Sequence, residues 1–154
     1  MLYYEDLMPG TVHRFGACKV TREEVVEFAS KYDPQPFHLD DEAAAKTHFG
    51  RLSASGWHTA AMTMGMLVEN MKDNRQAGLG SPGIDELRWV KPVYPGDTLR
   101  VENELLSKRR SRSRPDMGIL KSATRVYNQN DEVVMTMISN GLVSVRDPSA
   151  PIEE

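Results

Sequence analysis

The chain has 154 residues, 40% of them hydrophobic and 27% charged, the proportions of an ordinary globular protein with enough apolar side chains for one compact core. Its formal net charge is −3, so the overall electrostatics favour neither a nucleic-acid nor an anionic-membrane partner, and no apolar run reaches the length of a bilayer span. The lone Cys18 has no intrachain disulfide partner, and Met1 to Gly10 lacks the basic and apolar regions of a secretory signal, so the expected location is the cytoplasm.

In chain order, Thr11 to Thr21 reads as a weak strand carrying Val12, Phe15 and Val20. Thr21 stands three residues before Glu24, a capping-box spacing that opens a helix whose apolar stripe is Val25, Val26, Phe28 and Ala29. That helix stops near Tyr32. Pro34 and Pro36 fix their own φ and push the residues before them, Asp33 and Gln35, out of the helical region, so Asp33 to His38 is expected to be extended or turned. Asp40, Asp41 and Glu42 then favour the positive end of a short helix through Ala43-Ala44-Ala45, which Gly50 is expected to end. His48 is expected to face solvent or cap that end.

From Gly56 the segment through Val68 is apolar on nearly every face, and such a helix is expected to be buried on every face. The methionines between Met62 and Met71 are read as adaptable core filling. Gln76 to Gly83 is the longest loop-like stretch. Four strands follow. Ile84 to Val93 closes at Tyr94-Pro95-Gly96-Asp97; Leu99, Val101 and Leu105 alternate with charged residues; Ile119 to Asn128 and Val133 to Val145 are joined by turn residues. A long apolar helix among so many strands predicts an α+β domain, a curved antiparallel sheet wrapped around one central helix.

The chemistry concentrates before that helix. On its own, Asp before Pro is a common turn opener, and a loop histidine is commonly solvated. Here, however, Asp33 and His38 share a stiffened loop, where a carboxylate and an imidazole can both hydrogen-bond one water. Gly56, at the head of the long helix, can present its backbone N–H and the positive helix end to a developing negative charge. It can equally serve a tight junction that requires an unusual φ.

Taken together, Tyr32-Asp33-x-x-Pro36-x-His38-x-Asp40, Ala43 to Ala45, Phe49-Gly50 and Gly56 before an apolar helix resemble the MaoC-like dehydratase or (R)-specific enoyl-CoA hydratase family of hotdog-fold proteins. The resemblance implies a single hotdog domain over residues 1–154 that hydrates trans-2-enoyl-CoA reversibly to the (R)-3-hydroxyacyl thioester. It further implies that Asp33 and His38 act as the acid–base pair and Gly56 as oxyanion donor. No metal or cofactor is implied, CoA being part of the substrate, and at least a homodimer with sheets joined edge to edge is expected. Gln35, Phe37, Ser55, Trp57 and His58 are the candidate substrate-binding residues. Many relatives have Asn in place of Gln35 and His in place of Ser55. His58, in the first helical turn, is opposed by the dipole when charged and is read as a neutral packing or polar-wall residue.

A second cluster is the basic run from Lys108 to Asp116. It reads either as a solvated hairpin tip or as a clamp in which Arg110, Arg112 and Arg114 bind the phosphates of CoA. Two other functions fit the same fold: an acyl-CoA thioesterase, and a non-catalytic acyl-CoA binder or regulatory protein. Thioesterases of this fold often place a carboxylate on the central helix, but the first acid after Gly56 is Glu69, more than three turns along. A binder has no need of a paired Asp33 and His38.

Overall fold

The computed structural model describes residues 1–152. Its elements are β1 (Val12–Lys19), α1 (Arg22–Tyr32), α2 (Asp41–Ala45), α3 (Gly56–Asp73), β2 (Gly78–Trp89), β3 (Thr98–Arg110), β4 (Met117–Tyr127) and β5 (Val133–Ser144), with short 3-10 turns at Tyr4–Asp6 and Pro36–His38. The five strands form one sheet in the order β1-β3-β4-β5-β2, every neighbouring pair antiparallel. The sheet curves around α3, which is the hotdog architecture expected from the sequence.

Alternation places Leu99 and Val101 of β3 and Val126 of β4 inward, where they are fully buried with Val134 and Met135 of β5 and Val25 of α1. Each such side chain contributes about 1.5–3 kcal/mol relative to leaving it in water. Met66 of α3 joins this core. It does so at Gly16, where φ is +90° and a Cβ would lie 2.5 Å from the Met66 sulfur. Gly16 sits in the irregularity of β1 between Phe15 and Cys18, so one residue type supplies both the bulge and the space for the helix to approach.

Several sequence expectations are corrected. The long helix is not buried all round: Trp57, Ala61, Met64, Gly65 and Val68 form an exposed line down α3, with Trp57 60% and Met64 47% exposed. The sheet covers only one side of a cylinder, and among the described residues nothing covers this line. Met64 is therefore not core filling, whereas Met66 is.

The glycine-rich stretch expected as a loop begins β2, because an edge strand tolerates Pro82 and absorbs its extra residues in bulges around Gly80 and Gly83. The same strand ends at Trp89 rather than Val93. The third strand runs on to Arg110, absorbing Lys108 to Arg110. The short helix ends at Ala45, with Lys46 as its C-cap, and Gly50 instead turns the chain at a φ of +72°.

Candidate active site

Three local structures deliver the candidate residues. Thr21 caps α1, its hydroxyl accepting the Glu24 N–H at 3.3 Å, and Asp33 is the residue that ends the helix, its N–H still donating to Ala29 O. Gln35 is extended at φ −82°, ψ 142°, as a residue before proline must be, and Pro36 then starts the 3-10 turn that carries His38. Asp40 caps α2 by accepting the Ala43 N–H at 2.9 Å. The loop from Leu52 to Ser55 is buried and leads into the N-terminus of α3. Its depth is anchored by Ala54 N donating to Val93 O and by the Tyr94 hydroxyl donating to Phe49 O at 2.8 Å.

His38 is 5% exposed. Its Nδ1 lies 2.7 Å from the Ser53 carbonyl oxygen. A carbonyl only accepts, so Nδ1 carries the hydrogen, and in the neutral ring Nε2 is left with its lone pair. Nε2 stands 3.5 Å from Oδ2 of Asp33. Phe37 meets the imidazole edge-on at 4.6 Å and stacks on Phe49 at 5.4 Å, so the ring is held by aromatic packing as well as by the carbonyl.

Both oxygens of Asp33 are occupied by neutral donors. Gln35 Nε2 donates to Oδ1 at 2.6 Å, and the Ser55 hydroxyl donates to Oδ2 at 2.7 Å. Burial alone would push this carboxyl up, but Ser55, Gln35 and the neighbouring His38 together hold it below its ordinary value. Gln35 and Ser55, expected to touch substrate, are thus turned onto Asp33.

At the head of α3, His58 and Thr59 donate their N–H groups to Ser55 O. Among the described residues, no acceptor pairs with the amides of Gly56 and Trp57, which belong to the first turn that an α-helix cannot satisfy internally. Gly56 owes its place to crowding and not to backbone freedom: its φ is not in the left-handed region, but a Cβ would lie 2.5 Å from the Trp89 indole. Trp89 meets Trp57 in a T-shaped pair at 5.0 Å.

His58 is buried and stacked on Phe28 at 4.8 Å. Burial pushes its pKa down, against a weaker opposing pull from Glu24, which fits a neutral packing residue. His48 is exposed against Phe49, as expected.

Within the basic run, Arg110 is corrected. Arg110 is 9% exposed and its guanidinium donates to the carbonyls of Pro115, Pro148, Ala150 and Pro151. It is a buried strut for the C-terminal segment and is closed to phosphate. Arg114 pairs with Asp116; Arg112 is exposed.

The hairpin lies at the opposite end of α3 from Gly56. Asp116 O accepts Val145 N, and Ala77, just past α3, pairs with Ser144; Gly56 lies at the other end of a helix about 27 Å long. Ser53, Trp89 and Tyr94 support the candidate residues and were not singled out from the sequence. A backbone carbonyl leaves no sequence signal, and Trp89 and Tyr94 read as strand and turn residues.

Residues 7–127 match the family model described as a MaoC like domain. The uncharacterized protein YdeM of Bacillus subtilis is 33% identical over 129 residues, covering 82% of this chain and 88% of that protein. The (R)-specific enoyl-CoA hydratase of Aeromonas caviae is 31% identical over 124 residues, 80% of this chain and 82% of the hydratase. Among solved structures, the MaoC-like dehydratase from Rhodospirillum rubrum superposes with a TM-score of 0.86 at 40% identity, covering 96% of this chain and 99% of that one.

Proposed function

The chain belongs to the MaoC-like domain family, and from that premise we propose that it is a hydro-lyase of acyl-CoA thioesters, one domain over residues 1–154 that hydrates trans-2-enoyl-CoA reversibly to (R)-3-hydroxyacyl-CoA. The observation that carries this reading is the 3.5 Å gap between Asp33 Oδ2 and His38 Nε2. With Nδ1 bonded to Ser53, both atoms are acceptors, and two acceptors do not bond each other without a hydrogen between them. One water beside them donates a hydrogen to each, which turns its oxygen lone pair outward.

In the hydration direction, that oxygen attacks C3 of the enoyl group as one O–H proton passes to His38 Nε2. The double-bond electrons move toward the thioester oxygen, which the unpaired Gly56 amide and the positive end of α3 stabilise. The same proton then goes from Nε2 to C2 as the carbonyl reforms. One water is consumed and no oxidant, metal or cofactor enters the balance. Hydrogen and hydroxyl come from one side of the substrate, so the addition is syn. The test is whether the protein consumes the conjugated double bond of trans-2-enoyl-CoA without releasing thiol.

The assembly proposed with this activity is a homodimer. Trp57, at the head of the exposed line on α3, meets Trp89 of β2, an edge strand exposed along almost all of its length, with Leu79, Ile84 and Trp89 outward. Pairing two such edges would bury both. A stable monomer in sedimentation at micromolar concentration contradicts this. Among the described residues, no helix is long and apolar enough to cross a membrane. A cytoplasmic setting is proposed, with which the free thiol of Cys18 is compatible.

A further inference from the structure

Ser55 occupies the N-cap of α3, with φ −54° and ψ 140°, yet its side chain makes no capping bond. A serine in this position ordinarily turns its hydroxyl back to accept a free N–H of the first turn, an arrangement that stabilises helices. Here the single hydroxyl hydrogen is directed to Asp33 Oδ2 at 2.7 Å, across 22 residues of sequence. Ser55 is fully buried, so no water competes for the bond. The helix forgoes its cap while a carboxylate on another element gains a fixed donor, and the oxygen chosen is the one that faces His38 Nε2.

We infer that Ser55 is a positioning residue of the acid–base pair: its hydroxyl fixes Oδ2 of Asp33 as an acceptor beside His38 and leaves His38 to carry the transferred proton. With Gln35 on Oδ1, the carboxylate cannot rotate without losing a bond at each oxygen. Both of its oxygens already accept from fixed donors, which also lowers its affinity for a proton, and Asp33 is left to orient the water and face the imidazolium that forms. A hydroxyl suits the task because it reaches Oδ2 while its backbone carbonyl still accepts from His58 and Thr59.

The inference rests on the hydratase reading for its catalytic part, but its first readout needs no substrate. With aspartate labelled at the side-chain carboxyl carbon, NMR titration of the wild-type protein should show Asp33 protonating below the ordinary aspartate range. In Ser55→Ala that titration should move upward, and in Ser55→Thr, which keeps the hydroxyl, it should return toward wild type.

On trans-2-enoyl-CoA, Ser55→Ala should lower kcat by about ten- to one-hundred-fold, the worth of a hydrogen bond to a charged group. KM should be little changed, and the acidic limb of the kcat/KM profile should move upward with Asp33. An unmoved Asp33 titration in Ser55→Ala overturns the inference, as does a moved titration with unchanged kcat. If Ser55→Ala does not fold, a wild-type Asp33 titrating at or above the ordinary range overturns it. A wild-type protein inactive on every enoyl-CoA sinks the proposed function, while the titration still reports whether Ser55 holds Asp33.

Discussion

His38 Nε2 and Asp33 Oδ2 stand 3.5 Å apart, brought together by a helix end and a proline-started turn, and each is fixed from behind by a partner that is not the other. Ser53 O takes the hydrogen of His38 Nδ1, and Ser55 and Gln35 donate to Asp33. Neither group depends on the other for its place, so the space beside both can be given to a third atom. In the proposed reaction that atom is the oxygen of water.

Replacing either member should therefore remove chemistry, but with different effects on the fold. Asp33→Asn keeps the shape of the side chain and should lower turnover by about two to four orders of magnitude, with a modest fall in thermal midpoint as the charge that Ser55 and Gln35 bond is lost. His38→Ala should lose a similar factor and also destabilise the protein, by about 1–3 kcal/mol, because it leaves the buried Ser53 carbonyl without its donor. Steady-state kinetics with thermal melts of both variants make the check. Near-normal turnover in either one removes the shared-water mechanism.

Gly56→Ala isolates the donor at the head of α3. The added methyl would lie 2.5 Å from the Trp89 ring, and because Trp89 is 44% exposed the indole can swing outward at a modest cost, about 1–2 kcal/mol. Turnover should fall by more than that cost explains, since the amide proposed to face the thioester oxygen moves too. Tryptophan emission should shift as the Trp57–Trp89 pair separates. Unchanged emission together with unchanged kcat contradicts the close approach as the reason for glycine.

The loop that carries Asp33 and His38 was legible because proline restricts the chain locally, and Gly56 was legible because it opens an apolar helix. The sheet followed from alternation in β3 and from the turn residues that join β4 and β5. What depended on distant partners was not legible. Arg110 looked like one more member of a basic run, and only the return of the C-terminal segment makes it a buried strut. The glycines of β2 looked like a loop because a bulged edge strand and a loop have the same composition. An apolar α3 announces that it needs covering on all sides, but not that the sheet of its own chain covers one side only. Ser55 carries no sign that its hydroxyl serves Asp33 and not its own helix.

Arg110 gives a direct test of the corrected hairpin. Arg110→Ala strands the carbonyls of Pro115, Pro148, Ala150 and Pro151 and should cost about 1.5–3 kcal/mol of stability. KM for CoA thioesters, measured against a short pantetheine thioester, should stay unchanged relative to wild type. Arg112→Ala, at an exposed tip, should leave stability within about 0.5 kcal/mol. A selective rise in KM for the CoA substrate in Arg110→Ala would restore the phosphate clamp.

His58 sets a pH dependence of stability. Its folded pKa is lowered by burial, so as pH falls below about 6.5 the unfolded chain binds a proton that the folded chain does not yet accept. Above that value both states are neutral and the group contributes nothing; below it, stability declines until the folded group also protonates. Asp33, also lowered, acts as an acid group: its contribution is present above the ordinary aspartate range and is lost only as pH falls below it. Urea midpoints between pH 5 and 8 should decline on the acid side in wild type and less in His58→Leu. Parallel curves for the two proteins would show that His58 does not titrate as its burial requires.

The central claim is tested most directly by mixing the purified protein with trans-2-enoyl-CoA and saturated acyl-CoA thioesters of several chain lengths, following the conjugated double bond and free thiol separately. The expected result is loss of the conjugated absorbance on at least one enoyl-CoA, no thiol release from any substrate, and an (R)-3-hydroxyacyl-CoA product whose added hydrogen and hydroxyl lie on the same face. Thiol release from saturated substrates would select the thioesterase, and tight binding with neither signal the non-catalytic binder. An (S) product would leave hydration standing but contradict the assignment of Asp33, His38 and Gly56 around the bound enoyl group.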